Sequence, residues 1–145
     1  MSKKIKIKRF DKELPLPRYK TAGAAGFDMT ARETVIIRPN TVGYVPLNVA
    51  VGTPKNHFLI LAARSSTHKM GLLPIHGIGI GDSDFSGDND EYKIPLLNFT
   101  KKSVKIERGT RIGQGIFVKF IKAEWKEVQK MTSKNRGGFG STGGN

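Results

Sequence analysis

Ala63-Arg64-Ser65-Ser66-Thr67 sets a guanidinium and consecutive hydroxyls directly after the apolar run Phe58 to Ala62, so polar donors emerge where a strand ends. Arginine supplies a planar donor fork and the serines add neutral donors, the set that holds polyphosphate oxygens; a helix cap by Ser65 or Ser66 is a compatible second use. Further on, Gly77-Ile78-Gly79-Ile80-Gly81-Asp82-Ser83-Asp84-Phe85-Ser86-Gly87 reads as a hairpin whose alternating glycines expose backbone amides and carbonyls to a base edge, with Phe85 as a face for a sugar ring. One carboxylate beside a phosphorus centre orients and deprotonates a water, worth roughly 10²–10⁴-fold in rate, and a divalent cation on the phosphates offsets the gathered charge. The competing use is a solvated acidic turn; a calcium loop fails because no glutamate closes the segment at the spacing that loop needs.

Three more segments break the apolar pattern. Gly23-Ala24-Ala25-Gly26-Phe27-Asp28-Met29 crowds small residues before an aspartate, which permits close approach of backbone or ligand, or a tight turn capped by Asp28. Gly109-Thr110-Arg111-Ile112-Gly113-Gln114-Gly115 places a primary amide in an apolar strand, where it needs a partner; Gln114 either serves a structural bond or holds the water that Asp82 activates. Lys134 to Asn145 contains one aromatic, five glycines, two hydroxyls and two cations. Such a segment orders only against something bound: charge from Lys134 and Arg136, hydroxyls from Ser141 and Thr142, and a flat face from Phe139 suit a nucleotide, against the plain alternative of a glycine-rich solubilising end.

Short strands must position these groups. Ile5 to Lys8, Thr34 to Ile37, Val42 to Leu47, Phe58 to Leu61, Ile94 to Leu97, Val104 to Ile106 and Ile116 to Val118 are β-branched or alternating, and Arg38-Pro39-Asn40, Gly52 to Asn56 and Glu107 to Thr110 punctuate them. Many short strands predict an all-β sandwich or barrel, with a turn or two of helix near Ser65 to Met70. A chain of 145 residues is one domain, able to bury about 68–70% of its unfolded surface. We expect a β domain over 1–131 and a flexible arm over 132–145. The absence of cysteine excludes disulfides and thiolate metal sites, and with no apolar leader or membrane-length stretch the expectation is an intracellular, non-secreted protein without a membrane partner. Net charge is +13, from 25 Lys and Arg against 12 Asp and Glu. It favours polyanions, but the lysines are scattered, whereas Asp82, Asp84, Asp88, Asp90 and Glu91 are concentrated in one segment.

In chain order the five segments resemble the motifs of homotrimeric deoxyuridine triphosphate nucleotidohydrolases, the dUTPase family, which run approximately A-G-Y-D-L, P-R-S-G, G-V-I-D-x-D-Y-x-G, R-I-A-Q and R-G-x-G-G-F-G-S-T-G. Here they stand as Ala25-Gly26-Phe27-Asp28-Met29, Ala63-Arg64-Ser65-Ser66, Gly79 to Gly87, Arg111-Ile112-Gly113-Gln114 and the tail ending Gly137-Gly138-Phe139-Gly140-Ser141-Thr142-Gly143. The resemblance covers nearly the whole chain. It implies a distorted jelly-roll subunit of the β-clip type, a homotrimer with an exchanged C-terminal arm, and Mg²⁺-dependent hydrolysis of dUTP to dUMP and pyrophosphate by water attack on the α-phosphorus, which keeps uracil out of DNA and supplies dUMP for dTTP synthesis. It assigns Asp82 to activating the water, Gln114 to positioning it, and Ser65 to the scissile phosphate. Arg64 and Ser66 match phosphate contacts, Phe85 matches the residue against the deoxyribose, His76 falls at a uracil-contacting place, and Ile80, Gly81 and Lys93 fall at substrate-binding positions. Asp28 touches the metal only through water. Phe139 covers the uracil, with Lys134, Arg136, Gly140, Ser141 and Thr142 closing on the phosphates.

The chain departs from the pattern at several places. Lys134 stands where the family's tail arginine belongs, with Arg136 two residues later; Phe85 replaces a tyrosine and Gly81 an isoleucine. His76 falls where some members place a uracil-contacting asparagine, a structural or solvent-facing role being the other reading. Asp88-Asn89-Asp90 is an insertion that lengthens a surface turn, and Lys119 replaces a proline before the arm. Two other readings stand beside the hydrolase: a relative on the same fold that deaminates dCTP, and a regulatory or nucleic-acid-binding protein, nucleic acid being an additional partner that catalysis does not require.

Overall fold

Alternation of buried and outward residues over a few positions at a time gives strands too short to stand alone, and pairing across the chain assembles them. The computed structural model of the chain describes residues 3–141 and 143. Its strands are β1 (Ile7–Arg9), β2 (Arg18–Tyr19), β3 (Phe27–Thr30), β4 (Val35–Ile37), β5 (Val42–Pro46), β6 (Val49–Val51), β7 (His57–Ala62), β8 (Leu72–Pro74), β9 (Gly79–Gly81), β10 (Lys93–Asn98), β11 (Val104–Ile106) and β12 (Arg111–Lys119). Among the described residues a single 3₁₀ turn, Thr67–Met70, is the expected scrap of helix, and the all-β, jelly-roll-like class holds. No helix among the described residues is long and apolar enough to cross a membrane.

All pairings are antiparallel. The largest sheet runs β2-β3-β12-β7-β9, and β5-β10-β8 with the two-stranded pairs β1-β6 and β11-β4 contributes to the same core. Met29, Ile37, Leu47, Leu59, Leu72, Ile94, Leu96, Ile106 and Ile112 fill the core. On β3 the buried positions are Phe27 and Met29, which by the period of two turns Asp28 outward. Asn98, fully buried at the end of β10, is satisfied on both faces of its amide: it donates to the Ile37 and Lys102 carbonyls, each at 2.8 Å, and accepts from Thr100.

The segment read as a hairpin is not one. β9 pairs with β7, and β10 pairs with β5 and β8 in the other sheet, so the chain between them crosses from one sheet to the other. Alternating glycines allow β9 to lie flat on β7, and that long-range pairing replaces the local one. The Asp88-Asn89-Asp90 insertion closes a turn in which Asp90 accepts from the Gly87 N–H at 2.7 Å, and Lys8 of β1 grips Asp88 through both its carbonyl, 2.8 Å, and its carboxylate, 2.9 Å. Regular structure ends at Lys119; after Phe120, whose N–H bonds the Asn56 carbonyl, residues 121–137 are all exposed, Ile121 and Trp125 by more than nine-tenths of their surface.

Candidate active site

The predicted residues form two sets, one on the large sheet and one where its edge strand β9 meets β10 of the other sheet. The first gathers at the β3-β12-β7 junction. Asp28 pairs with Gln114 in register, and Gln114 with Ala62, so the residues that follow β7 arrive beside both. Arg64 Nε donates to Asp28 Oδ1 at 3.1 Å and Arg111 donates to Oδ2 at 3.2 Å, which fixes one carboxylate between two guanidiniums. Arg111 and Gln114 sit at odd and even positions and would face opposite ways on a regular strand. A register shift between Arg111 and Gly113 brings both to Asp28. Arg111 lay within a motif but carried no assigned role, and only the bulge reveals its reach.

Gln114 is half-buried and only half of its amide is engaged: Nε2 donates to the Ala63 carbonyl at 2.8 Å, while Oε1 makes no hydrogen bond among the described residues. Gly26 leaves that oxygen room, because a Cβ there would come within 2.5 Å of it. Ser66 stands at the N-cap of the 3₁₀ turn without a side-chain cap bond; Thr67 accepts from the Arg64 N–H at 3.0 Å instead. The capping use of Ser66 is therefore not taken up, and neither the Ser65 nor the Ser66 hydroxyl makes a hydrogen bond among the described residues.

The second set lines a cleft of about 670 Å³ formed by β9, the start of β10 and the insertion, with His76, Ile80, Gly81, Phe85 and Lys93 on its wall beside Tyr44, Asn89 and Tyr92. The His76 ring packs over Gly79, where a Cβ would lie 3.0 Å from Nε2. Asp82 is exposed at the end of β9 and joins no ion pair among the described residues. Gly81 stands beside Leu59 and Gln114 beside Ala62, so the two sets lie three residues apart along β7 and two strand spacings apart across the sheet, roughly 14 Å in all. Asp82 and Gln114 do not share a water on one chain. The tail joins neither set: Lys134, Arg136, Phe139, Gly140 and Ser141 are exposed, and Thr142 lies outside the described residues.

A family model for dUTPase matches residues 12–143. This chain belongs to the dUTPase family. Among curated members, the Helicobacter pylori deoxyuridine 5'-triphosphate nucleotidohydrolase is 37% identical, over 97% of each chain, and the protein of that name from Thermoanaerobacter is 35% identical, over 99% of each. Of solved structures, the Streptococcus mutans dUTPase superposes with a TM-score of 0.75 at 28% identity, covering 82% of this chain and 98% of its own. A Staphylococcus bacteriophage 80alpha dUTPase solved with dUPNHPP shares the fold at a TM-score of 0.86 and 23% identity, over 98% of this chain and 99% of its own.

Proposed function

We propose that the chain hydrolyses dUTP to dUMP and pyrophosphate in a site completed between copies of itself. The observation that carries this reading is the sorting of the motif residues into a phosphate-gripping set, a base-and-sugar cleft roughly 14 Å away, and an arm that belongs to neither. A general base acts within hydrogen-bond reach or through one water, so Asp82 of one chain serves Gln114 and Ser65 of another. Apolar residues left exposed support association: Val42 and Tyr44 on β5, Leu73 on β8, and Ile121, Trp125 and Met131 along the exposed segment that leads into the arm. A homotrimer with exchanged arms, as in the family pattern, satisfies all three requirements. A nucleotide substrate supports an intracellular location for the enzyme.

In that assembly the Asp82 carboxylate takes a proton from a water whose second contact is Gln114 Oε1. The water oxygen bonds to the α-phosphorus, the bond from that phosphorus to the bridging oxygen breaks, and pyrophosphate leaves with the electron pair. Arg64 and Ser66 hold phosphate oxygens and the Ser65 hydroxyl meets the scissile group. The uracil and deoxyribose occupy the cleft against Ile80, Gly81, Phe85, His76 and Lys93. Phe139 covers the base while Lys134, Arg136, Gly140, Ser141 and Thr142 close over the phosphates and exclude other water.

No three acidic or histidine side chains gather into a metal cluster among the described residues, whereas Asp28 stands beside the arginines that would grip the phosphates. Asp28 would contact the water shell of a magnesium ion carried in on the triphosphate, a hard cation that takes oxygen donors. Bound there, the ion neutralises phosphate charge.

Pyrophosphate release from dUTP, dTTP, dCTP and UTP, with and without Mg²⁺, tests the reaction: dUTP alone should turn over well, equal turnover of all four overturns the specificity, and none overturns the enzyme. Mixing inactive Asp82→Asn and Gln114→Ala chains tests the shared site. Refolding them together should restore activity in roughly a quarter of the sites; no recovery places the site within one chain.

A further inference from the structure

Tyr92 lies behind the cleft and belongs to none of the five segments. Its backbone is held from both sides, the N–H donating to the Val49 carbonyl at 3.0 Å and the carbonyl accepting from the Leu47 N–H at 2.8 Å. The preceding Glu91 is clamped by Arg32 through two bonds, 2.7 and 3.0 Å, and by the Asn48 N–H at 2.9 Å. The ring is therefore carried on a fixed support, and Tyr92 is only 5% exposed.

That ring occupies the space a side chain at position 81 would take. A Cβ on Gly81 would lie 2.7 and 2.8 Å from two of its carbons and collide with its hydroxyl. Neither partner can withdraw, since Gly81 is paired with Leu59 of β7. The ring also meets Phe85 edge to face, centroids 5.1 Å apart at 83°. Phe85 in turn closes a turn on Asp82, its N–H donating to the Asp82 carbonyl at 3.1 Å. Tyr92 thus touches the residue before Asp82 and the aromatic that ends its turn. The phenol hydroxyl is buried without a completed hydrogen bond, as is that of Thr53, which faces it. The hydroxyl has no evident use, and the ring does.

We propose that Tyr92 is a positioning residue that sets deoxyribose specificity: seated on Gly81, its ring fixes the Phe85 face at the distance that leaves no room for a 2'-hydroxyl. The inference rests on the reading of the cleft as the site for base and sugar. Phe85 has no hydroxyl with which to sense the sugar, so exclusion of ribose depends on where its ring stands. A pocket wall displaced by even an ångström changes what is admitted, and close packing against a rigid partner prevents that displacement.

The experiment compares kcat and KM for dUTP and UTP, with thermal melting, in wild type, Tyr92→Phe, Tyr92→Leu, Gly81→Ala and Gly81→Ala/Tyr92→Leu. Tyr92→Phe keeps the ring and should keep the dUTP/UTP ratio of kcat/KM within about twofold, whereas Tyr92→Leu should lower that ratio by about tenfold or more, mainly through gain of UTP. Gly81→Ala displaces the ring and should act likewise. The double variant relieves the clash and should melt higher than Gly81→Ala, yet keep the low ratio. A folded Tyr92→Leu or double variant with the wild-type ratio overturns the proposal and leaves Tyr92 a packing residue. A wild type that hydrolyses no dUTP overturns the underlying reading instead, a distinct result.

Discussion

Arg64 Nε donates to Asp28 Oδ1 across 3.1 Å while Arg111 holds the other oxygen of the same carboxylate. One acid thereby draws two guanidiniums to the same place and offsets the repulsion between them. Asp28→Asn should loosen both, raising KM for dUTP and the Mg²⁺ concentration at half-activity. The ion pairs are partly exposed, so the loss of stability should stay within about 1 kcal/mol. Steady-state kinetics beside thermal melting separates the two effects; unchanged KM and Mg²⁺ dependence would refute the role.

Gly26 faces Gln114 Oε1 so closely that alanine must push the amide aside. That amide is the far end of a flexible side chain, so it can yield at little cost in stability while losing its place. If Gln114 places the attacking water, Gly26→Ala should lower kcat more than it raises KM. An equal kcat in a folded variant counts against that placement.

Asp11 accepts from Arg108 and from the Glu13 N–H, and the Arg108 bond foremost holds its carboxyl below the ordinary 3.8. A lowered folded pKa adds stability above the unfolded value and loses it as pH falls through the folded one. The melting difference between wild type and Arg108→Gln should therefore be present at pH 7 and shrink below about pH 4. A difference independent of pH would assign the effect of Arg108 to packing.

Burial, with the Asp82 and Asp90 carboxylates adding to it and Thr53 opposing, raises the Tyr92 phenol above its ordinary 10.0. The unfolded chain then ionises first, so this contribution is intact below pH 10 and is lost as pH rises through the folded value. Tyr92→Phe should melt at or above the wild-type temperature at pH 7 and show less decline above pH 10. Parallel declines in the two proteins would exclude Tyr92 as the source.

Deleting 137–145 removes no buried side chain among the described residues, Phe139 being fully exposed. If the arm closes over base and phosphates, melting temperature should hold while turnover of dUTP falls sharply. Undiminished turnover would return the arm to a solubilising role. Arg136→Gln and Lys134→Gln, compared by KM, distinguish which cation carries the phosphate contact where lysine replaces the forked side chain.

Local patterning made β4, β5, β7, β10, β11 and β12 legible, since each shows β-branched or alternating residues bounded by turn formers. β2 is too short for any period to register, and β6 is buried on both faces, so neither alternates. The supposed hairpin failed for a different reason: adjacency in sequence favours pairing neighbours, but the glycines of β9 fit β7 and the apolar faces of β10 fit the other sheet. The five motif segments were readable as residue types; their grouping was not.

The order and chemistry of those segments followed from the sequence, because residue type sets what a side chain can donate, accept or stack upon. Which of them meet was decided by tertiary structure alone. The register placing Gln114 beside Asp28, the shift that turns Arg111 to the same carboxylate, the distance separating Asp82 from both, and the seating of Tyr92 on Gly81 all depend on non-local pairing and close packing. Those forces act between positions far apart in the chain, where no local period records them.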